Sequence, residues 1–335
     1  MILLTFGTRP EFIKIKPLIE VFTQEKYPHK VLFTGQHTNL LPEGVASLVD
    51  YSLQMQTGEN RLDAIVSSLM NQSSIWEDPV EYVLVQGDTT SAFAMALAAF
   101  HRKIKVLHLE AGLRTYDLNH PYPEEFNRQA ISRLAHAHFC PTEVSAANLK
   151  NEMIDPKKIF ITGNTVLDNL VTTPTLTGKK VIITMHRREN HELIPEWFKE
   201  MDNIAARHPD LEFVFPIHPN PNVKKHKDIF KHVKVIDPLE YNKFIEELSQ
   251  CRLLISDSGG IQEEASFFKK RVIVCRKKTE RVEGLGVFFE LCHDPGDLSG
   301  LFEHALEQPP IPSETPSPFG DGTAAIKIYN IIKEL

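Results

Sequence analysis

Apolar residues along this chain come in short runs, and nearly every run stops at a glycine or a polar turn. Residues 1–6 form an apolar run of strand length, closed by Gly7-Thr8-Arg9-Pro10, after which Ile13, Leu18, Ile19 and Phe22 recur at helical spacing. The same rhythm repeats downstream. Residues 31–33 predict a strand before Gly35-Gln36-His37, and residues 62–70 carry a helical pattern. Residues 82–85 predict a strand before Gln86-Gly87-Asp88-Thr89-Thr90, and residues 92–100 an alanine-rich helix. Another strand, 106–109, ends in Glu110-Ala111-Gly112-Leu113-Arg114, and two more are expected at 139–141 and 159–162. Between Arg114 and Glu125 lies a long loop with Pro121 and Pro123, a feature that in α/β domains is usually functional.

After Leu170 the polar, proline-broken stretch VTTPTLTGK reads as a linker, and a second alternating series begins. Strands are expected at 180–184, ending in Met185-His186-Arg187-Arg188-Glu189-Asn190, at 211–216, ending in Ile217-His218-Pro219, and at 233–236. Helices are expected at 194–206 and 241–248. Residues 253–275 then read as one βαβ unit, with Ser256-Asp257-Ser258-Gly259-Gly260 where strand passes into helix and Ile261, Ala265 and Phe268 on one helical face. A polar loop follows at 277–284, then a proline-rich stretch at 309–318 and a helix at 324–335. Strand followed by helix, twice over, predicts an α/β protein of two Rossmann-like doubly wound domains facing a shared cleft, divided near residues 170 and 171.

Composition narrows the partners. The 335 residues are 42% hydrophobic and 24% charged, ordinary for a globular protein with full cores. Net charge is −7, so no overall field favours nucleic acid, and any polyanion must be held by a local cluster. No apolar run approaches the length of a membrane span, so no membrane partner is expected. The opening MILLTFGTRP has no basic segment ahead of its apolar residues, so no secretory signal is expected. Cys140, Cys251, Cys275 and Cys292 form no CxxC pair and read as reduced core thiols of a cytoplasmic protein.

Candidate chemistry collects at the predicted strand ends, where open α/β sheets bind ligands. Three carboxylates, Asp88, Glu110 and Glu124, could serve acid–base chemistry at a carbon, with Arg9 and Lys14 flanking the first turn. Each alone also reads as a cap, a turn residue or a surface charge. The second half supplies cations: His186, Arg187, Arg188, His218 and Arg281 could clamp a diphosphate beside the Ser258-Gly259-Gly260 helix start, whose free N–H groups and dipole favour an anion. Glu263 and Glu264 fall where a ribose could offer its hydroxyls, and Phe244 could pack in the core or on a flat base. The histidine-bearing loops contain neither HExxH nor a paired-Asp pattern, so no metal is expected. Carboxylates in one half and phosphate binders in the other describe a sugar-nucleotide enzyme, but do not separate an epimerase from a glycosyltransferase.

The motifs FGTRPEFIKIKPL, QGDTTSAFA, HLEAGLRTYDLNHPYPEEFNR, ITGNTVLD, HRREN, PIHPNPNV, SDSGGIQEE and TERVE occur in that order over nearly the whole chain. The sequence thereby resembles the non-hydrolysing UDP-N-acetylglucosamine 2-epimerases. The resemblance implies a GT-B type arrangement, with residues 1–170 carrying the acid–base carboxylates, 171–318 binding UDP, and 319–335 a helix returning to the first domain. It implies interconversion of UDP-GlcNAc and UDP-ManNAc through 2-acetamidoglucal, with no cofactor, in a homodimer. Asp88, Glu110 and Glu124 resemble the acid–base carboxylates, and His186 the histidine that steadies departing UDP. Arg9, Lys14, Arg128, His218, Ser258, Gly259, Gly260 and Arg281 match substrate and phosphate positions. Glu264 matches the ribose ligand and Phe244 the aromatic near uracil.

Three departures bear on these expectations. Val282 stands where the family usually has proline, the following Gly284-Leu285-Gly286-Val287-Phe288-Phe289 lacks the usual Ala-Gly-Thr, and residues 172–178 are shortened. Family members activated by a second UDP-GlcNAc use polar residues after the Gln-His pair. Here that segment is Thr38-Asn39-Leu40-Leu41-Pro42-Glu43, and no arginine lies between Asp63 and Trp76, so weak or absent self-activation is expected. A hydrolysing relative, an epimerase of a modified UDP-sugar and a non-catalytic nucleotide-sugar binder remain open alternatives at this point.

Overall fold

The structure, a computed structural model, describes residues 1–36, 45–55 and 58–335. The chain forms two compact units, Met1–Asn169 with Gly320–Leu335, and Leu170–Phe319. Each is built on one parallel sheet.

In the first unit the strands are β1 (Ile2–Phe6), β2 (His29–Phe33), β3 (Tyr51–Ser52), β4 (Tyr82–Gln86), β5 (Lys105–Leu109), β6 (Ala137–Cys140) and β7 (Ile159–Ile161). They are ordered β3-β2-β1-β4-β5-β6-β7. The helices are α1 (Arg9–Gln24), α2 (Arg61–Met70), α3 (Thr90–His101), α4 (Glu124–Leu134) and α5 (Glu143–Asn151). Helices cover both faces of a parallel sheet, which is why β1 and β4 are buried at every position and read as unbroken apolar runs. Thr8 caps α1 by accepting from the Glu11 N–H, and Phe12, Ile15, Leu18, Ile19 and Phe22 face the core.

The second unit carries β8 (Lys180–Thr184), α6 (Ile194–Arg207), β9 (Glu212–Pro216), α7 (Pro221–Lys224), β10 (Lys234–Ile236), α8 (Tyr241–Gln250), β11 (Leu253–Ser256), α9 (Gly260–Phe267), β12 (Val272–Cys275), β13 (Phe289–Cys292) and α10 (Leu298–Glu307). Its strand order is β10-β9-β8-β11-β12-β13. The predicted α/β class and doubly wound parallel sheets are therefore present. In both sheets the order reverses between two neighbours, β1 and β4 in one, β8 and β11 in the other, and such switch points open a crevice beyond the strand ends.

A last helix, α11 (Ala324–Glu334), belongs to the first unit. Ile328, Tyr329 and Ile332 join the core around α1, and the Asp168 carboxylate accepts from the Ala324 and Ala325 N–H groups at 3.2 and 2.8 Å, tying down the helix start.

Five labelled elements were not expected from the sequence: β3, α5, α7, β13 and α10. The βαβ unit over 253–275 is present, and α9 buries Ala265 and Phe268 as its apolar spacing predicts, but it buries most of its polar residues as well. Ile261 is half-exposed, whereas Gln262, Glu263, Glu264 and Ser266 are buried. The polar loop expected at 277–284 is likewise buried at Thr279, Glu280 and Arg281, and supplies the polar partners that α9 turns toward. All four cysteines are buried and free. No described helix is long and apolar enough to cross a membrane.

Candidate active site

The first unit's strand ends carry two carboxylate–cation pairs. Gly87 turns the chain out of β4 with φ of +69°, a conformation that favours glycine, and so presents Asp88 beyond the strand end. Arg128 on α4 grips one oxygen of Asp88, with Nε and Nη2 2.7 and 2.6 Å from Oδ2, and Asn127 donates to the Asp88 carbonyl at 2.8 Å. The third guanidinium nitrogen reaches Glu125 Oε2 at 3.3 Å. Glu125 is fully buried and also accepts from the Thr115 and Tyr116 N–H groups, so it fixes the long loop against α4.

Glu110 follows β5 in the left-handed region, φ +62°, rare for a residue with a side chain and met chiefly where surroundings enforce it. Lys14 Nζ lies 2.5 Å from Glu110 Oε2, and the Gln86 amide also donates to that oxygen. Glu124 is half-buried in the first turn of α4, where the helix dipole favours a carboxylate, and Arg9 is half-buried at the start of α1. Arg128 thus holds Asp88 and Glu125, and Lys14 holds Glu110, which makes both cations partners of the carboxylates in this structure.

Three residues that sequence reasoning passed over support this end of the sheet. Glu11 is buried, accepts from the Gly7 N–H at 3.0 Å and the Thr89 hydroxyl at 2.7 Å, and links the turns after β1 and β4. Burial raises its pKa against the lowering effect of those hydrogen bonds. His108 Nε2 lies 2.8 Å from the Gly87 carbonyl and fastens β5 to the Asp88 turn. Burial lowers the pKa of His108 to about 4 and that of its neighbour His138, opposite it on β6, to about 3. Both imidazoles are neutral near pH 7, so His108 donates from Nε2.

In the second unit Asp257 is the hub. It is 0% exposed and lies just beyond β11 at the switch point. Its carboxylate accepts from the His186 N–H at 3.1 and 3.0 Å, the Arg187 N–H at 2.8 Å and the Asn190 amide at 3.1 Å. The His186 imidazole Nδ1 is 3.5 Å away. One carboxylate therefore draws the loop after β8 onto the Ser258-Gly259-Gly260 turn. His186 stacks on His218, centroids 4.9 Å apart and planes at 17°. His218 Nδ1 accepts from the Asn220 N–H at 3.1 Å. Burial lowers the pKa of both histidines; the Asp257 charge opposes this at His186, while His186 itself adds to it at His218.

At the start of α9, a Cβ on Gly259 would lie 2.8 Å from Arg281 Nη1 and 2.9 Å from Glu280 Oε1. Glycine is required there because this buried ion pair lies over the turn. A Cβ on Gly260 would meet nothing within 4 Å, which leaves open space at the N-terminal end of the helix. Arg281 Nε donates to Glu263 at 2.6 Å and Nη1 to Glu280 at 2.5 Å, while Arg276 reaches Glu280 at 3.1 Å and Glu189 at 2.9 Å. Of the two adjacent glutamates, Glu263 is therefore turned to a cation, while Glu264 accepts from the Tyr241 hydroxyl at 2.9 Å. Phe244 lies half-buried one turn further along α8. Among the described residues no group of three or more His, Cys, Asp or Glu is placed to hold a metal ion. Residues 38–43, the segment behind the expectation of weak self-activation, lie outside the described residues.

Arranged this way, one unit offers carboxylates held by cations at a sheet switch point. The other offers stacked imidazoles, backbone N–H groups and a helix start suited to an anion. Comparison with known proteins points the same way. The family model described as UDP-N-acetylglucosamine 2-epimerase matches residues 20–333. A UDP-N-acetylglucosamine 2-epimerase of Campylobacter jejuni is 37% identical over 372 aligned positions, covering 99% of this chain and 97% of its own. The crystal structure of UDP-GlcNAc 2-epimerase from Neisseria meningitidis bound to UDP-GlcNAc superposes with a TM-score of 0.87 at 35% identity, covering 100% of both chains. The Methanocaldococcus jannaschii UDP-GlcNAc 2-epimerase in complex with UDP-GlcNAc and UDP gives 0.82 at 28% identity, covering 100% of this chain and 99% of that one. With the family model and near-complete coverage in agreement, the chain belongs to the UDP-N-acetylglucosamine 2-epimerase family.

Proposed function

We propose that this protein interconverts UDP-GlcNAc and UDP-ManNAc without net hydrolysis. A carboxylate of the first unit removes the proton from C2 of the sugar while the C1–O bond to UDP breaks, leaving 2-acetamidoglucal and UDP. Protonation of C2 on the opposite face and return of the UDP oxygen to C1 give the epimer, so the reaction balances with no added redox partner. Asp88, Glu110 and Glu124 are the acid–base candidates. Lys14 and Arg128, which hold Glu110 and Asp88, fix the orientation of those carboxylates.

In the second unit, Ser258, Gly259 and Gly260 present the start of α9 to the diphosphate, with His186 and His218 beside it and Arg281 assigned to the phosphates; Arg9 of the first unit is assigned to them as well. Glu264 takes the ribose and Phe244 the uracil. Charge accumulates on UDP as the C1–O bond breaks, so a histidine that gains a proton there stabilises the transition state more than the ground state.

The observation that carries the non-hydrolytic reading is the Thr279–Glu283 loop. Its first three residues, Thr279, Glu280 and Arg281, are buried, and it is cross-linked to α9 through Thr279 to Gln262 at 3.1 Å and Arg281 to Glu263 at 2.6 Å. A tightly held phosphate side favours retention of UDP until the glucal is reprotonated. Incubation with UDP-GlcNAc in deuterated water, followed by proton NMR, tests it. Deuterium at C2 together with UDP-ManNAc is the expected result. Free ManNAc with UDP would establish the hydrolysing reaction instead, and an unchanged spectrum would sink both.

A further inference from the structure

Two glutamates sit side by side in α9, yet their surroundings differ in kind. Glu263 is fully buried and committed to the Arg281 guanidinium at 2.6 Å. Glu264 is 6% exposed and engaged by a hydroxyl from α8, the Tyr241 O–H, at 2.9 Å from Oε1. Tyr241 is the first residue of α8 and Phe244 follows three positions later, so both rings lie on one helical side. The phenol donates to one carboxylate oxygen and so fixes the orientation of the group. Burial, and then the Glu264 charge, hold the Tyr241 hydroxyl well above its ordinary pKa, so it stays a donor at every physiological pH.

A carboxylate that is to recognise a vicinal diol needs charge, a fixed plane and lone pairs turned outward. A flexible glutamate would have to be ordered when the ribose arrives, and that ordering weakens binding. A hydrogen bond that already fixes the side chain removes this penalty. Accordingly, we infer that Tyr241 is a positioning residue that aims Glu264 at the ribose hydroxyls and thereby sets the preference for ribonucleotides over their deoxy analogues. This inference rests on Glu264 being the ribose ligand, as proposed above.

The test compares the wild type with Tyr241→Phe and Glu264→Gln in calorimetric binding of UDP and of 2′,3′-dideoxy-UDP, with thermal melts of each protein and steady-state kinetics alongside. Tyr241→Phe deletes one oxygen and keeps the ring, so its melting temperature stays close to that of the wild type. The expected result is that UDP binding weakens about five- to twenty-fold in Tyr241→Phe, less than the full loss of a hydrogen bond to a charged group because the Glu264 carboxylate itself remains, while dideoxy-UDP binding changes less than about two-fold. KM then rises with kcat nearly unchanged, because the contact is the same in ground and transition states.

If Tyr241→Phe keeps the wild-type ratio of UDP to dideoxy-UDP affinity, or binds UDP more tightly, while Glu264→Gln loses the ratio, the positioning role of Tyr241 is overturned and the ribose assignment stands. If Glu264→Gln also keeps the ratio, the ribose assignment itself falls and the inference falls with it.

Discussion

Removing the Asp257 carboxylate should loosen the second unit's binding loops and its fold together. In Asp257→Ala, three hydrogen bonds to a buried charged acceptor are lost, from the His186 and Arg187 N–H groups and the Asn190 amide. Bonds to charged groups contribute about 1.5–3 kcal/mol each when measured singly. They form one network, and water entering beside the half-exposed His186 restores part of the loss, so the net destabilisation is about 3–5 kcal/mol. For a protein of this size that lowers Tm by about 6–20 °C.

Function should suffer beyond stability. The loop carrying His186 and Arg187 is no longer drawn to the Gly259-Gly260 turn, so UDP binding weakens at least about ten-fold at temperatures where the variant is fully folded. The His186 pKa, already lowered by burial, moves lower still once the opposing Asp257 charge is gone. Differential scanning calorimetry, UDP titration calorimetry and an NMR titration of the His186 ring read these three effects. A Tm within about 2 °C of the wild type together with UDP affinity within about two-fold would refute the account of Asp257 as the hub.

Other expectations follow from the same geometry. Gly260→Ala adds a methyl where no protein atom lies within 4 Å, so stability holds or rises by up to about 1 kcal/mol while UDP affinity falls; Gly259→Ala displaces the Arg281–Glu280 pair and lowers both. UDP binding should take up protons, because an anion raises the depressed pKa values of His186 and His218. Affinity therefore rises as pH falls below about 6.5, which calorimetry in buffers of differing ionisation heat will detect. His138→Phe should leave stability at pH 7 within about 1.5 kcal/mol. It should also remove an acid liability: with His138 at about 3 in the folded state, the unfolded chain binds the extra proton between pH 6.5 and about 3, and stability is lost as pH falls through that window. Acid unfolding of the variant should therefore begin at lower pH. Asp88→Asn, Glu110→Gln and Glu124→Gln should each lower kcat by about two or more orders of magnitude; near-normal rates in all three would refute the acid–base assignment.

Most strands were legible because both faces of a parallel sheet are buried, so β1, β4, β8 and β11 each carry at least three consecutive apolar residues and stop at polar turns. Elements with mixed surfaces were not. The strand β13 contains Glu290 and a half-buried Leu291 at the sheet edge, and α5 buries only Ser145, Ala146 and Leu149 of its nine residues. The strand-end positions of residues 88, 110, 186 and 258–260 were legible for a related reason: polar residues directly after an apolar run mark a strand end, and strand ends are where such sheets bind.

Their supporting partners carry no comparable signal. Tyr241 reaches Glu264 across 23 residues, from α8 to α9, and Asp257 reaches His186 across 71, a pairing fixed only when strands β8 and β11 lie side by side. The burial of α9 shows the same limit. Its spacing of Ile261, Ala265 and Phe268 pointed to an apolar face, and Ala265 and Phe268 are buried, but Gln262 and Glu263 are buried too because a polar loop meets them.

The placement of α11 determines when each half of the molecule can become complete. All of the second unit lies in one uninterrupted stretch, Leu170–Phe319, so every contact it needs exists once that stretch has been synthesised. The first unit waits longer. Ala325, Ile328, Tyr329 and Ile332 fill the surface of α1, and Asp168 has no helix start to hold until residues 324 and 325 arrive. During synthesis the earlier half therefore stays open along α1 while the later half closes first, the reverse of ordinary N-terminal-first order.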